Sequence, residues 1–298
     1  MADRTVLFGN GINLAEGGEG YPNWNELLSR IANRLHVGRA SHGTSQSLLF
    51  DLLAHRRGRR DGVAGVDEII HEEMQRLDCI EPQADSLFHR LLDVDADAYL
   101  TTNYDYALER AICEREGIGR DGLDVGAGYA NETYISLHRC RKYKGGIVYH
   151  VHGELNYPNS ICLGYMHYVR NLSSVVGALT EESENGLDIS LREDVLRGKG
   201  RRSWADRFFN SDVYIVGFGM AESEIDFWWL LDLRARIILA GGADAPRNTI
   251  SYLCAYEGEA PEICETLESL KVDVYHQQVT RGEWKEAYET LIDDVIPR

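Results

Sequence analysis

The stretch Thr101-Thr102-Asn103-Tyr104-Asp105 sets hydroxyl, amide and carboxylate groups close together along the chain. A short apolar run, Ala98 to Leu100, feeds into it, and an apolar-periodic segment from Tyr106 to Ile112 follows. This pattern predicts a buried strand, a turn, and a helix beginning at Asp105 or Tyr106. Ligands of open α/β sheets bind at the carboxyl ends of strands, so these side chains are candidates for orienting a water or a sugar hydroxyl. A plainer role is open to them too: Asp105 as a helix cap and the threonines as turn residues.

Three other stretches have the same character. Thr5 to Phe8 reads as a strand running into Gly9-Asn10-Gly11-Ile12-Asn13. Glycines there permit a tight turn and close approach of backbone to a ligand, although Leu14 stands where the third glycine of a dehydrogenase fingerprint belongs. Ile147 to Gly153 predicts a strand on which His150 and His152 share a face, with His152 at its end. His152 has three readings: a structural histidine, a metal ligand with His150 and Glu154, or a base near neutral pH. Val213 to Gly219 predicts a buried strand ending in Gly217-Phe218-Gly219.

These strand ends need a sheet to bring them together. Helical periodicity appears at Trp24–Leu35, with Asn23 as cap, and again at Ser45–Leu53 and Val66–Leu77. A fourth helix is expected from Leu87, capped by Asp85 or Ser86. Four helices between the first two strands exceed a simple crossover, which predicts a helical insertion or lid at about residues 20–92. Further on, Gly117–Gly128 reads as loop, Tyr134–Cys140 as a possible strand and about 171–202 as a mobile excursion. A short helix is expected at Ser203–Phe209 and a longer one at Glu222–Leu233. The acids Glu222, Glu224 and Asp226 then need only the helix dipole to explain them. Strands at Asn248–Ala255 and Val272–Tyr275 alternate with helices at Pro261–Leu270 and Glu283–Val295. The expected class is α/β, a doubly wound Rossmann-like parallel sheet in one domain.

Composition narrows the partners. The 298 residues carry 31 Lys+Arg against 48 Asp+Glu, a formal charge of −17, which argues against direct binding of nucleic acid or anionic membrane. The basic run Arg56-Arg57-Gly58-Arg59-Arg60 reads as a solvated loop, and so does Arg197–Arg202. The sequence shows no membrane span and no signal peptide, so a cytoplasmic protein is expected. The six cysteines form no C-x-x-C pair and are expected to be reduced, with no structural zinc.

With the glycine turn at residue 9, Thr101–Asp105, His152-Gly153 and the turn at Gly217 in that order, the chain resembles the sirtuin-like family. The T-T-N-Y-D form is similar to the bacterial sirtuin-like NADases of anti-phage defence. Departures are the missing zinc ribbon, Asn10 and Asn13 for alanine and serine, Thr102 for glutamine, and Gly219 for serine. The resemblance implies NAD+ as substrate and no metal. It implies that the turn at Gly9 and Gly11 approaches the pyrophosphate, with Asn10 and Asn13 among the cofactor-binding residues. Asn103 would orient the nicotinamide ribose or the attacking water, Asp105 would hold the ribose or carboxamide side, and Thr102 would be a further cofactor-binding residue. His152 would bind a ribose hydroxyl and act as base, and Gly217, Phe218 and Gly219 would complete the cofactor site. Cleaving the nicotinamide–ribose bond develops oxocarbenium character, and the leaving group is already cationic, so an oriented water, a nearby carboxylate and exclusion of bulk water suffice. The implied activity is NAD+ hydrolysis to ADP-ribose and nicotinamide by an abortive-infection effector. Control would come from oligomerisation or from a separately encoded partner, as in short-Argonaute, Thoeris or Kongming systems. The alternatives are deacylation or ADP-ribosyl transfer, and a non-catalytic nucleotide sensor.

Overall fold

Strand β1, Arg4–Phe8, lies in the middle of an eight-stranded sheet. The computed structural model describes residues 3–17, 21–34, 36, 47–52, 64–119, 124–125, 136–182, 189–196, 203–241, 245–280 and 282–297. The loop expected at Arg56–Arg60, the one at Arg197–Arg202 and most of Gly117–Gly128 fall outside these residues.

The other main-sheet strands are β2 (Ala98–Thr101), β3 (Asp124–Val125), β4 (Arg141–Tyr143) and β5 (Gly146–His150), then β8 (Asp212–Val216), β9 (Ile250–Tyr256) and β10 (Asp273–Gln278). Their order is β10-β9-β8-β1-β2-β5-β4-β3, parallel from β10 through β5 and antiparallel at the last two pairings. Strands β6 (Thr180–Glu182) and β7 (Ile189–Leu191) form a separate antiparallel pair. From β1 the chain crosses to β2 on one side and later to β8 on the other. The order therefore reverses at β1, which opens a crevice at the carboxyl ends.

Alternation of side chains along the inner strands feeds two cores. Val6, Phe8, Tyr99, Tyr214 and Val216 point to one face, Leu7, Leu100, Val213 and Ile215 to the other. A parallel strand covered on both faces is a near-continuous apolar run, as these are apart from Arg4, Thr5, Thr101 and Asp212 at their ends. The first core is closed by helices Trp24–Arg34, Leu87–Asp93, Ala107–Glu116 and Trp284–Val295, and the second by Tyr165–Leu179, Ile225–Ala240 and Ile263–Ser269. Helices thus cover both faces, giving the doubly wound α/β architecture, with no zinc ribbon among the described residues.

Several boundaries follow local rules. Asn23 Oδ1 accepts from the Glu26 N–H at 3.0 Å, and Glu26 Oε2 accepts from the Asn23 N–H at 2.9 Å. This reciprocal box starts the helix at Trp24. Ser86, one of the two expected caps, accepts from the His89 N–H and starts the helix at Leu87. Gly117 ends helix Ala107–Glu116 in the left-handed conformation, φ 64°.

Other expectations are corrected. The described part of Tyr134–Cys140, from Ser136, is not strand; pairing begins at Arg141, where a turn at Lys144-Gly145 folds β4 back on β5. Strand β5 ends at His150, so His152 lies in the turn beyond it. Within the stretch expected as an excursion, residues 171–179 complete a 15-residue helix, Tyr165–Leu179, and β6 and β7 follow. Residues 183–188 lie outside the described structure.

Gly153 holds the turn after β5. Its φ is +95°, and a Cβ there would stand 2.2 Å from the Ser160 carbonyl oxygen. Strained backbone and collision with a main-chain atom act together, so Gly153→Ala is expected to destabilise the fold by about 3 kcal/mol or more. Urea unfolding checks this; an unchanged midpoint would contradict it.

Candidate active site at the sheet switch point

The loops after β8, β1, β2 and β5 leave four neighbouring parallel strands on the same edge of the sheet. They meet around a cavity of about 450 Å³. Pockets of roughly 300–1,000 Å³ are usual for small-molecule ligands. Asn10, Gly11, Thr102, Asn103, Asp105, His152, Gly217, Phe218 and Gly219 all line it. Gly9 and Asn13 stand behind this wall.

The glycines serve the loops before they serve any ligand. A Cβ on Gly11 would lie 2.6 Å from the Gly217 carbonyl oxygen, and one on Gly9 would lie 2.8 Å from the Phe218 ring. The Gly11 N–H donates to Gly217 O at 2.8 Å. The two turns are therefore zipped backbone to backbone across the switch point. Helix Asn10–Gly17 begins almost at once, so the expected glycine loop is really a strand-to-helix junction. Gly219 meets nothing within 4 Å, and the cavity wall there is bare backbone.

Asn103 is fixed on three sides. Its side-chain N–H groups donate to Asn13 Oδ1 at 2.9 Å and to Gly9 O at 3.3 Å. Its backbone N–H donates to Thr101 Oγ1 at 3.0 Å, and its carbonyl accepts from His150 Nδ1 at 2.8 Å. Both amide hydrogens are spent, so Oδ1 is the atom left to accept from a ligand hydroxyl or a water.

Asp105 lines the cavity with both oxygens engaged. Oδ1 accepts at 3.0 Å from the N–H of Ala107, the first residue of helix Ala107–Glu116, whose N-cap is Tyr106 and not Asp105. Oδ2 accepts from Asn13 Nδ2 at 2.6 Å and from Tyr21 Oη at 3.3 Å. Burial raises its pKa, against the opposing pull of the Ala107 and Asn13 hydrogen bonds. Asp105 thus holds Asn13, and Asn13 holds Asn103.

His150 and His152 part company. His150 Nε2 meets Glu109 Oε1 at 2.7 Å while Nδ1 serves the Asn103 carbonyl. Beneath it, Glu154 bonds Arg139 at 2.8 Å, Arg141 at 2.6 Å and the Tyr106 hydroxyl at 3.0 Å. Glu154 is thus engaged by Tyr106, Arg139 and Arg141, and the reading of His150, His152 and Glu154 as one ligand set gains no support. Burial disfavours the His150 charge, but Glu109, with Glu154 and the Asn103 carbonyl, outweighs it and lifts the pKa to about 8.

That shift makes a stability prediction. A histidine raised in the fold stabilises fully below its unfolded pKa and loses the gain as pH rises through the folded value. From 6.5 to about 8, His150 should contribute about 2 kcal/mol, lost across that window. Urea unfolding of wild type should weaken between those pH values more steeply than that of His150→Gln; equal slopes would contradict the assignment.

His152 instead faces two acids that were expected to be mere dipole partners. Its Nε2 lies 3.0 Å from Asp226 Oδ2, and its Nδ1 lies 3.5 Å from Glu224 Oε2. Helix Ile225–Ala240 starts later than expected, so Glu224 precedes it and only Asp226 sits in its first turn. Asp226 is fully buried and its Oδ2 also accepts from Asn171 Nδ2 at 2.6 Å. Burial opposes the His152 charge, yet Asp226 and Glu224 together hold its pKa above the usual value. One atom each from His152, Glu224 and Asp226 lies within 4.8 Å of the others, a spacing that suits a metal ion. Asp226 Oδ2 is nevertheless already committed to two donors, so we do not assign the three as metal ligands.

Other lining residues were not picked out as site residues from the sequence: Tyr21, Tyr104, Tyr168 and Glu224, then Leu253 and Ala255 on β9 and Tyr288 on helix Trp284–Val295. Strand β9 neighbours β8, so the rule that picked out the other strand ends also applies to it.

A SIR2-like domain family matches residues 97–275, well over half of the chain. The chain belongs to the SIR2-like family. The matched span holds Asn103, Asp105, His152, Glu224 and Asp226, and the glycine junction of β1 lies before it. No match was found among curated proteins. Membership makes this chain a sirtuin-like, NAD-related domain, and its fold is Rossmann-like. Among its described residues, no helix is long and apolar enough to cross a membrane.

Proposed function

We propose that this SIR2-like protein hydrolyses NAD+ at the nicotinamide–ribose bond, giving ADP-ribose and nicotinamide. The observation that carries the reading is that Asn103 and His152, from loops after different strands, line one cavity at the switch point. In this reading the nicotinamide ribose lies between them. Asn103 Oδ1 holds the attacking water or a ribose hydroxyl, and His152 lies on the proton's path. Asp105 acts through Asn13, keeping the Asn103 amide turned. Gly11, Thr102, Gly217 and Gly219 offer a wall of close backbone and small side chains to the pyrophosphate. The apolar arm formed by Leu253, Ala255, Ile263 and Tyr288 takes the adenine. Tyr21, Pro22 and Leu27 from the helical segment help exclude water, which strengthens each polar contact within.

NAD+ depletion by such an enzyme fits an abortive-infection effector of anti-phage defence, cytoplasmic and held in check by oligomerisation or by a separately encoded partner. The test is chromatography of NAD+ incubated with purified protein, alone and with proteins co-purified at native levels. Nicotinamide and ADP-ribose in equal amounts support the reading. Acyl-ADP-ribose formed from an acyl-lysine peptide, or NAD+ bound without product under every condition, would overturn it.

A further inference from the structure

Glu224 Oε2 is buried and accepts no hydrogen bond, although it stands 3.5 Å from His152 Nδ1. The other oxygen of this carboxylate, Oε1, is 3.3 Å from the Tyr168 hydroxyl, and the side chain forms part of the cavity wall. On the far side of the imidazole, Asp226 Oδ2 lies 3.0 Å from Nε2. A carboxylate oxygen that already takes the Asn171 amide at 2.6 Å can only accept, so Nε2 carries a hydrogen. In the neutral ring Nδ1 is then a lone pair, facing an oxygen that also has only lone pairs. Leaving two buried acceptors face to face is unfavourable, and one proton between them removes the conflict.

We propose that His152 and Glu224 share one proton, and that this pair, once emptied, is the base of the site, with Asp226 and Asn171 as the positioning groups that fix the ring. The proposal rests on the NAD+ hydrolysis read above. In that reaction the water oxygen bonds C1′ as the C1′–N bond breaks. The electrons of that bond leave with the nicotinamide and neutralise its ring. One water proton passes to the His152–Glu224 pair and the other stays on the new anomeric hydroxyl. Release of the captured proton to solvent resets the site.

The groups facing Glu224 are His152, Asp226 in the first turn of the helix that Glu224 precedes, Tyr168, Tyr104 and Cys162. Burial pushes Tyr104, Tyr168 and Cys162 well upward, so these three keep their protons. Burial likewise raises Glu224, against the opposing pull of His152, to about 7. Activity should therefore climb with pH as the pair gives up its last proton, with a midpoint above the ordinary imidazole value because Asp226 and Glu224 hold the His152 proton.

The experiment joins two readouts on the same proteins. Ring-nitrogen NMR of histidine-labelled protein, with His152 assigned from a His152→Gln spectrum, follows its titration and tautomer. Nicotinamide release follows turnover against pH. Glu224→Gln is expected to lower the His152 titration midpoint by about one unit, to slow release at least tenfold and to abolish the acidic limb. Glu224→Asp should restore part of both. Asp226→Asn should instead disturb the tautomer signal, moving hydrogen between Nε2 and Nδ1. An unchanged His152 titration in Glu224→Gln overturns the shared proton. A wild-type rate and pH profile in that variant overturns the base role. A His152 titration that responds to Glu224 in a protein that never releases nicotinamide refutes the hydrolysis reading and the base role, and upholds the shared proton.

Discussion

Asn103→Ala should lower nicotinamide release from NAD+ by roughly 10²–10³-fold, the usual effect of losing one oriented polar group or of displacing a reacting atom by about an ångström. The cause is geometric. The side-chain amide is turned by Asn13 and Gly9, so that its carbonyl oxygen is the acceptor left for a water or hydroxyl. Alanine removes that acceptor. It also strands Asn13 Oδ1, which costs about 1–3 kcal/mol of stability. Circular dichroism and a thermal melt separate the two effects. A folded variant with wild-type turnover would remove Asn103 from the site.

His152→Gln should be as damaging, at roughly 10²–10⁴-fold, the range for a lost acid–base group. Glutamine is the better choice than alanine because its amide can still donate to Asp226 Oδ2, which is fully buried and would otherwise lose a partner. The fold should therefore survive while the base is gone. Loss of rate with the apparent affinity for NAD+ retained would mark a group acting on the bond being broken; loss of affinity alone would mark an ordinary contact.

The sheet was largely legible because its inner strands are covered on both faces. Thr5–Phe8, Ala98–Thr101 and Val213–Val216 read as short apolar runs ending in small or polar residues, and the structure ends β1, β2 and β8 there. The rule that ligands gather at carboxyl ends then brought Asn103 and His152 to one cavity. What stayed hidden depends on contacts between segments distant in sequence. Helix Tyr165–Leu179 buries Tyr168, Val175 and Leu179 but also Asn171, and that polar residue interrupts the stripe by which an amphipathic helix is recognised. Asn171 is there to hold Asp226. Glu109 and Arg110 break the inner face of Ala107–Glu116 in the same way, the first for His150 and the second for Asp78. Glu224 and Asp226 looked like first-turn acids, since dipole complementarity explains any acid at a helix start. Only their distance to an imidazole 74 residues away in sequence, for Asp226, marks them as more.

The central claim is that loops from separate strands act on one ribose. It is tested most directly by nicotinamide release from wild type, Asn103→Ala, His152→Gln and the double variant, each shown to be folded. The account predicts release by wild type, a deep loss in each single variant, and a double variant little worse than either, because groups acting in one step do not lose activity additively. Release that persists in the double variant, or losses that simply multiply as for two unrelated sites, would contradict it.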